Sequence, residues 1–368
     1  MLFQENRRTA LARPRKYSKL GCHRHLCRVA IAGLVVMGCK VEMASASSIQ
    51  NESTAPAPMA EDKNESPNRA MRSSGRKDVG VTKLTPAPSV LLNTKKFLES
   101  VRTGALNELR GFIGKVPNIN AVNAEGTPAL ILAVFTDQLE ILELVGRHPR
   151  ININAVDREG RTALMRAAAR GNSEMVEFLV AQPGINLNLV DRQGLTALHE
   201  AALNGYIEIL RSLLSSGWVN LNHQDKNQRT ALMMAAMNGH GEIVDTLLRQ
   251  PELDVNKGDR LGETALMDAA QLGRIEIVRS LLRMPDIDVN QRSISGRTAL
   301  MLAAIGGHQE VVQELVGFAE TKVDVVDLAG RAALDWAILK QQTEIVNLLE
   351  SGPPQGERGR VSCRAMFL

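Results

Sequence analysis

Residues 160–180 read GRTALMRAAARGNSEMVEFLV, and most of the chain is written on this template. A glycine followed by TAL returns 34 residues on at Gly194, and TAL returns again at Thr230, where Gln228 stands in the glycine's place. Gly262, Gly296 and Gly330 extend the series, and Gly126, with an altered TPAL, begins it. Seven copies at a constant step of 34 residues mark a stack of small units. None of these can bury its apolar face without its neighbours.

The letters of one copy predict its structure. Thr162 stands where a helix should begin, and its hydroxyl can accept from an unpaired backbone N–H of the first turn. Leu164, Ala167 and Ala168 then share one helical face, and the two alanines leave room for a close neighbour. Gly171, repeated at 205, 239, 273 and 307, ends this helix because glycine enters the left-handed region without steric cost. Met175, Val176, Leu179 and Val180 predict a second amphipathic helix, with Glu174 near the positive end of its dipole. Prolines at 149, 183, 251 and 285 close that helix. An extended finger should follow, its Asx residues (Asn154 to Asn290, then Asp157 to Asp259 and Asp327) bonding nearby backbone in turns.

With these residues in view, the chain resembles the ankyrin repeat family, TAL-x-x-AA standing for that family's TPLH-x-A. The step is 34 rather than the family's usual 33, the extra residue falling in the loop after the second helix. The motif's histidine survives only as His199, while Met165, Met233, Met267 and Met301 fill its slot. The resemblance implies an all-α repeat solenoid of stacked helix–turn–helix units with short β-hairpin-like fingers. It also implies a concave face built from fingers and first helices, on which another protein is recognised.

Charge divides the chain. Residues 1–92 hold 15 Lys and Arg against 7 Asp and Glu, residues 93–352 hold 26 against 32, and residues 353–368 hold 3 against 1. The repeat domain, 93–352, is therefore mildly acidic, and its ends carry the basic balance. Residues 1–39 read as a targeting segment: a basic stretch, then the apolar run Val29 to Met37, too short to span a bilayer. Val36-Met37-Gly38-Cys39 resembles a bacterial lipobox with Cys39 as the lipidated residue, and Ala44-Ser45-Ala46 offers a rival cleavage site. The expected location is exported or cell-envelope, any membrane contact being through that anchor; organelle-targeted and cytoplasmic placements are the alternatives. Residues 40–92, rich in Ser, Ala, Pro and charge, read as a disordered linker, and 353–368 as a disordered tail. Phe97, Leu98, Val101, Leu109, Phe112 and Ile113 form an N-terminal capping copy, and copy 330–352 is the C-terminal cap.

Catalysis has no foothold in these letters. None of the seven histidines has a companion residue that the sequence makes special, no glycine motif cradles a phosphate, and Cys22-His23-Arg24-His25-Leu26-Cys27 matches no standard zinc spacing. The reading is therefore a non-enzymatic protein, with no cofactor, no metal and no small-molecule substrate. The rivals are an effector or enzyme with its activity in the end segments, and nucleic-acid binding along an Arg-bearing finger edge. The second is disfavoured by the acidic domain and scarce aromatics.

Recognition should then be written where packing leaves the residue free. The first helix position expected to be exposed reads Arg166, Glu200, Met234, Asp268, Leu302, Trp336 up the stack. The next exposed position includes Met237 and Ile305, and Met233, Met234, Met237, Leu302 and Ile305 suggest an adaptable apolar patch in the later copies. Arg158, Arg192, Lys226 and Arg260 align at the fingertips, and Arg161, Arg229, Arg297 and Arg331 near the helix starts. Trp218 is a further surface anchor candidate.

Overall fold

A computed structural model of the chain describes residues 88–351. The expected targeting segment, most of the linker, the tail and all four cysteines lie outside the described residues.

Sixteen α-helices and one short 3-10 turn make up the regular structure among the described residues. They come in pairs. In the copy that begins at Gly160 the pair is Ala163–Arg170 and Ser173–Val180. First helices pack on the first helices of adjacent copies, and second helices on second helices, so each pair touches its own partner and its neighbours. One continuous apolar core runs from Phe97 to Ile345. The fold is the expected repeat solenoid, without strands among the described residues. The fingers are tight turns, with isolated antiparallel bridges at Val122–Pro128 and Val156–Thr162.

The local chemistry explains the regularity. Oγ1 of Thr162 accepts from the backbone N–H of Met165 at 3.2 Å, and Thr230, Thr264 and Thr298 do the same in their copies. Such a cap stabilises by about 1 kcal/mol. At His199 the ring adds a bond, its Nδ1 lying 2.9 Å from Oγ1 of Thr196 while Nε2 meets the Arg229 carbonyl at 3.2 Å. Where Met233 replaces the imidazole, its sulfur lies 3.5 Å from the Thr230 N–H.

Gly205 is required on two counts. Its φ is 80°, and a Cβ there would lie 2.7 Å from the His240 ring, which packs against it from the next copy. His240 donates from Nε2 to the Leu203 carbonyl, and His308 to that of Gln271. Asp137 and Gln341 occupy the same slot at the two ends of the series with φ of 57° and 58°, a strained conformation for residues with a Cβ.

Two expectations need adjusting. The second helices of the copies with a proline at 149, 183, 251 or 285 are eight residues long, whereas Ile207–Ser215 and Gln309–Gly317, which lack it, run to nine. In the shorter helices the last helical residue stands three before the proline, as Val180 does before Pro183, so the proline lies beyond the helix end rather than within it. The N-terminal capping helix begins at Pro88 and runs to Thr103, so residues 88–92 are helix rather than linker.

The finger asparagines bond more widely than a turn requires. Asn188 donates from Nδ2 to the Trp218 carbonyl and accepts from the Asn220 N–H, both at 2.8 Å and both in the next copy. Asn120, Asn154, Asn222, Asn256 and Asn290 repeat this pair of bonds. They form a ladder between copies. The aspartates do act locally: Oδ1 of Asp191 accepts from the N–H groups of Gln193 and Leu195, closing the fingertip.

Candidate binding face

The fingers set the geometry of the face. Most tips are a turn closed by an Asx residue and a glycine in the left-handed region; Gln228 takes the glycine's place with φ of 60°, and Ser293 takes the Asx residue's. At Gly194 φ is 81°, and a Cβ would approach the Lys226 nitrogen to 3.0 Å. That space is needed because consecutive tips are joined backbone to backbone. Arg192 N–H donates to Glu159 O, Lys226 N–H to Gln193 O, Arg260 N–H to Asn227 O, Ile294 N–H to Leu261 O and Leu328 N–H to Ser295 O, at 2.7–3.1 Å.

Arg158, Arg192, Lys226 and Arg260 are all exposed. Among the described residues none of the four lies within 4.0 Å of a carboxylate. Arg158 donates instead to the Ala124 carbonyl at 3.1 Å. The row near the helix starts behaves differently. Arg161 pairs with Asp191 at 3.1 Å and Glu200 at 3.4 Å, and Arg229 pairs with Asp225 at 3.2 Å. Arg297 and Arg331 hold the Trp336 ring between them, each 4.9 Å from its centroid. That row is structural.

The helix row expected to be exposed is largely covered, which corrects the sequence reading. Met234 is 2% exposed and Leu302 1%, and Glu200 and Trp336 are buried as well. Arg166 and Asp268 are partly buried. At Arg166 and Trp336 the cover is the finger just before the helix, and at Glu200 it is Arg161 of the preceding copy. Arg166 bonds Oδ2 of Asp157 at 2.6 Å, nine residues earlier, and Trp336 donates from Nε1 to Oδ2 of Asp327 across the same interval. Met233 is buried too. The accessible helix position is the next one, where Leu203, Gln271 and Leu339 are exposed and Met237 and Ile305 half-buried. Trp218 stands 83% exposed in its loop.

Burial also sets the charge states beside the face. It pushes the Asp268 carboxyl up to about 8, aided by Glu263 and Asp259 and opposed by Arg229. Burial raises Glu200 as well, against the pull of Arg161. His199 is held neutral, its value lowered by burial to about 4. Among the described residues no group of three His, Cys, Asp or Glu could hold a metal ion, and no helix is long and apolar enough to cross a membrane.

What sequence reasoning missed was Ile294 and Leu328. They occupy the fingertip slot after Arg260 at the same 34-residue step, and they are 68% and 78% exposed. The signal was present in the register, since two large aliphatics sit where four cations precede them.

Comparison with known proteins agrees with this architecture. A family model described as ankyrin repeats in three copies matches residues 130–222, 198–293 and 284–355. The crystal structure of an ankyrin repeat protein is similar over 55% of this chain and 100% of its own length, with 28% identity and a TM-score of 0.50. No curated protein matches the chain. The chain belongs to the ankyrin repeat family, whose repeats are generally protein–protein interaction modules.

Proposed function

We propose that this chain is a non-catalytic scaffold that captures one partner protein on the face made of its fingertips and the accessible position of its first helices. One observation carries the reading. On a frame held constant by caps, glycines and the asparagine ladder, the accessible residues change chemistry from copy to copy. The helix position runs Ala169, Leu203, Met237, Gln271, Ile305, Leu339, and the fingertips run from cations to aliphatics. Packing does not dictate these residues, so a partner can. Several are large and apolar on an accessible face, the composition that gives an interface its core.

The test is affinity capture with the full chain, comparing the parent with a variant carrying Leu203→Glu and Ile305→Glu. The helical circular dichroism should be unchanged and the partner lost; equal capture by both proteins would sink this face. Met234 and Leu302 are unsuitable for this purpose, because a glutamate in either place would be buried. The export reading joins the proposal on the strength of residues 1–39, with Cys39 as the lipidated residue tethering the scaffold to the cell envelope. Intact mass of the mature protein decides it, since an unprocessed N-terminus would exclude lipidation at Cys39.

A further inference from the structure

We infer that the fingertip row reads a bipartite linear segment of the partner, in which regularly spaced carboxylates are followed by aliphatic or aromatic side chains. The inference rests on the protein-binding reading above and names the chemistry of the ligand. Its basis is the sequence of tips Arg158, Arg192, Lys226, Arg260, Ile294 and Leu328. All six are exposed, and each is one repeat step from the next. From Arg192 onward each is tied to the preceding finger by one backbone hydrogen bond. The row is thus a rigid ruler rather than a scatter of surface charge.

Two features separate this row from ordinary surface basicity. The first is regularity: four cations recur at the same place in four consecutive fingers, and among the described residues none of them lies within 4.0 Å of a carboxylate. Arg161, Arg166 and Arg229 are held by acids and Arg297 and Arg331 by the Trp336 ring, whereas the fingertip cations have neither among the described residues. The second is the switch in polarity. Beside Ile294, whose N–H donates to its carbonyl, Leu261 is also exposed, so the apolar end is a patch and not a single residue. An exposed aliphatic patch continuous with a row of unpaired cations fits a ligand that is acidic at one end and apolar at the other.

Spacing constrains the ligand further. Packed helices stand about 8–10 Å apart, so successive tips should be separated by about that distance. A polyproline II segment advances about 3.1 Å per residue and returns to the same face every third residue, or about 9.3 Å. The periods match. The expected segment therefore presents an acidic residue at every third position for four steps, then apolar residues at the next two such positions, in either chain direction. A nucleic acid would satisfy the cations but leave Ile294 and Leu328 against water.

The experiment uses the full chain and fluorescein-labelled synthetic peptides, with binding read by polarisation. The probes are the acidic–apolar peptide on a three-residue period, its scrambled form, an all-acidic peptide on the same period, and a single-stranded oligonucleotide. The periodic bipartite peptide should bind about tenfold or more tightly than any other. Arg192→Glu with Lys226→Glu should remove the salt-sensitive part of that binding. Ile294→Asp with Leu328→Asp should reduce the bipartite peptide to the affinity of the all-acidic one. Equal binding of the scrambled or the all-acidic peptide overturns the proposal, as does preference for the oligonucleotide. Failure of every peptide overturns it too. If the partner is nevertheless still captured, and lost on Leu203→Glu with Ile305→Glu, the scaffold reading stands and only the fingertip assignment falls.

Discussion

Two rows of residues climb this stack in the same register, and they have opposite fates. The fingertip row, Arg158 to Leu328, lies open to solvent. The helix row, Arg166 to Trp336, starts eight residues later in each copy and is buried or partly buried throughout. Both rows vary from copy to copy, so variation alone does not mark accessibility. In the helix row most of the varied residues are satisfied internally, Asp268, whose carboxyl burial and neighbouring acids keep protonated, being the exception. Arg166 meets Asp157, Glu200 meets Arg161, Trp336 meets Asp327, and Met234 and Leu302 fill apolar space. In the fingertip row Arg158 bonds the Ala124 carbonyl, but among the described residues none of the four cations has a carboxylate partner and Ile294 and Leu328 are exposed, so an external ligand can complete the chemistry there.

The sharpest way to break this comparison is to truncate one aliphatic from each row. Leu302→Ala should cost about 2–5 kcal/mol, the range for a buried leucine. Ile294→Ala should stay within about 0.5 kcal/mol, as surface changes do. Urea denaturation of the two variants measures the difference, and similar losses would mean that the rows are not distinguished by burial.

Asp268, within the helix row, gives a pH-dependent test. Its folded carboxyl holds a proton up to about 8, while an unfolded Asp releases it near 3.9. The folded state therefore binds more protons across that interval, and stability should fall as pH rises from about 4 to about 8. Asp268→Asn should flatten this dependence and raise the melting temperature at pH 8 and above. His199 works in the opposite direction, since its folded value of about 4 makes stability fall as pH drops below 6.5. The comparison is cleanest above 6.5, and parallel pH profiles for parent and variant would refute the assignment.

A smaller effect probes the frame that holds the fingertips in line. Asn222→Ala removes a donor to the Glu252 carbonyl and an acceptor from the Asp254 N–H. Because both bonds are exposed, the loss should be about 1 kcal/mol, with faster amide exchange at Asp254. Unchanged exchange there would show that the ladder does not couple the copies.

Much of this was legible in the letters because short-range chemistry repeats. Thr162 as a cap, Gly171 as a helix stop and Asp191 as a turn closer each act within five residues, so their spacing alone discloses them. Asn188 was recognised as a finger residue, but its partners Trp218 and Asn220 lie 30 and 32 residues away, and no local pattern points to them. Of the candidate face, the exposed fingertip cations were predicted from the sequence, whereas Met234 and Leu302, expected at the surface, are buried.

What the sequence by itself determined is the architecture: a fixed 34-residue step, caps and apolar periodicity admit only stacked helix pairs. Which side of each pair remains open was decided by the tertiary structure alone. Helical periodicity tells where a side chain points around its own axis, but a finger folding back onto that helix is a contact between segments, and it determines whether the direction leads to water or to protein.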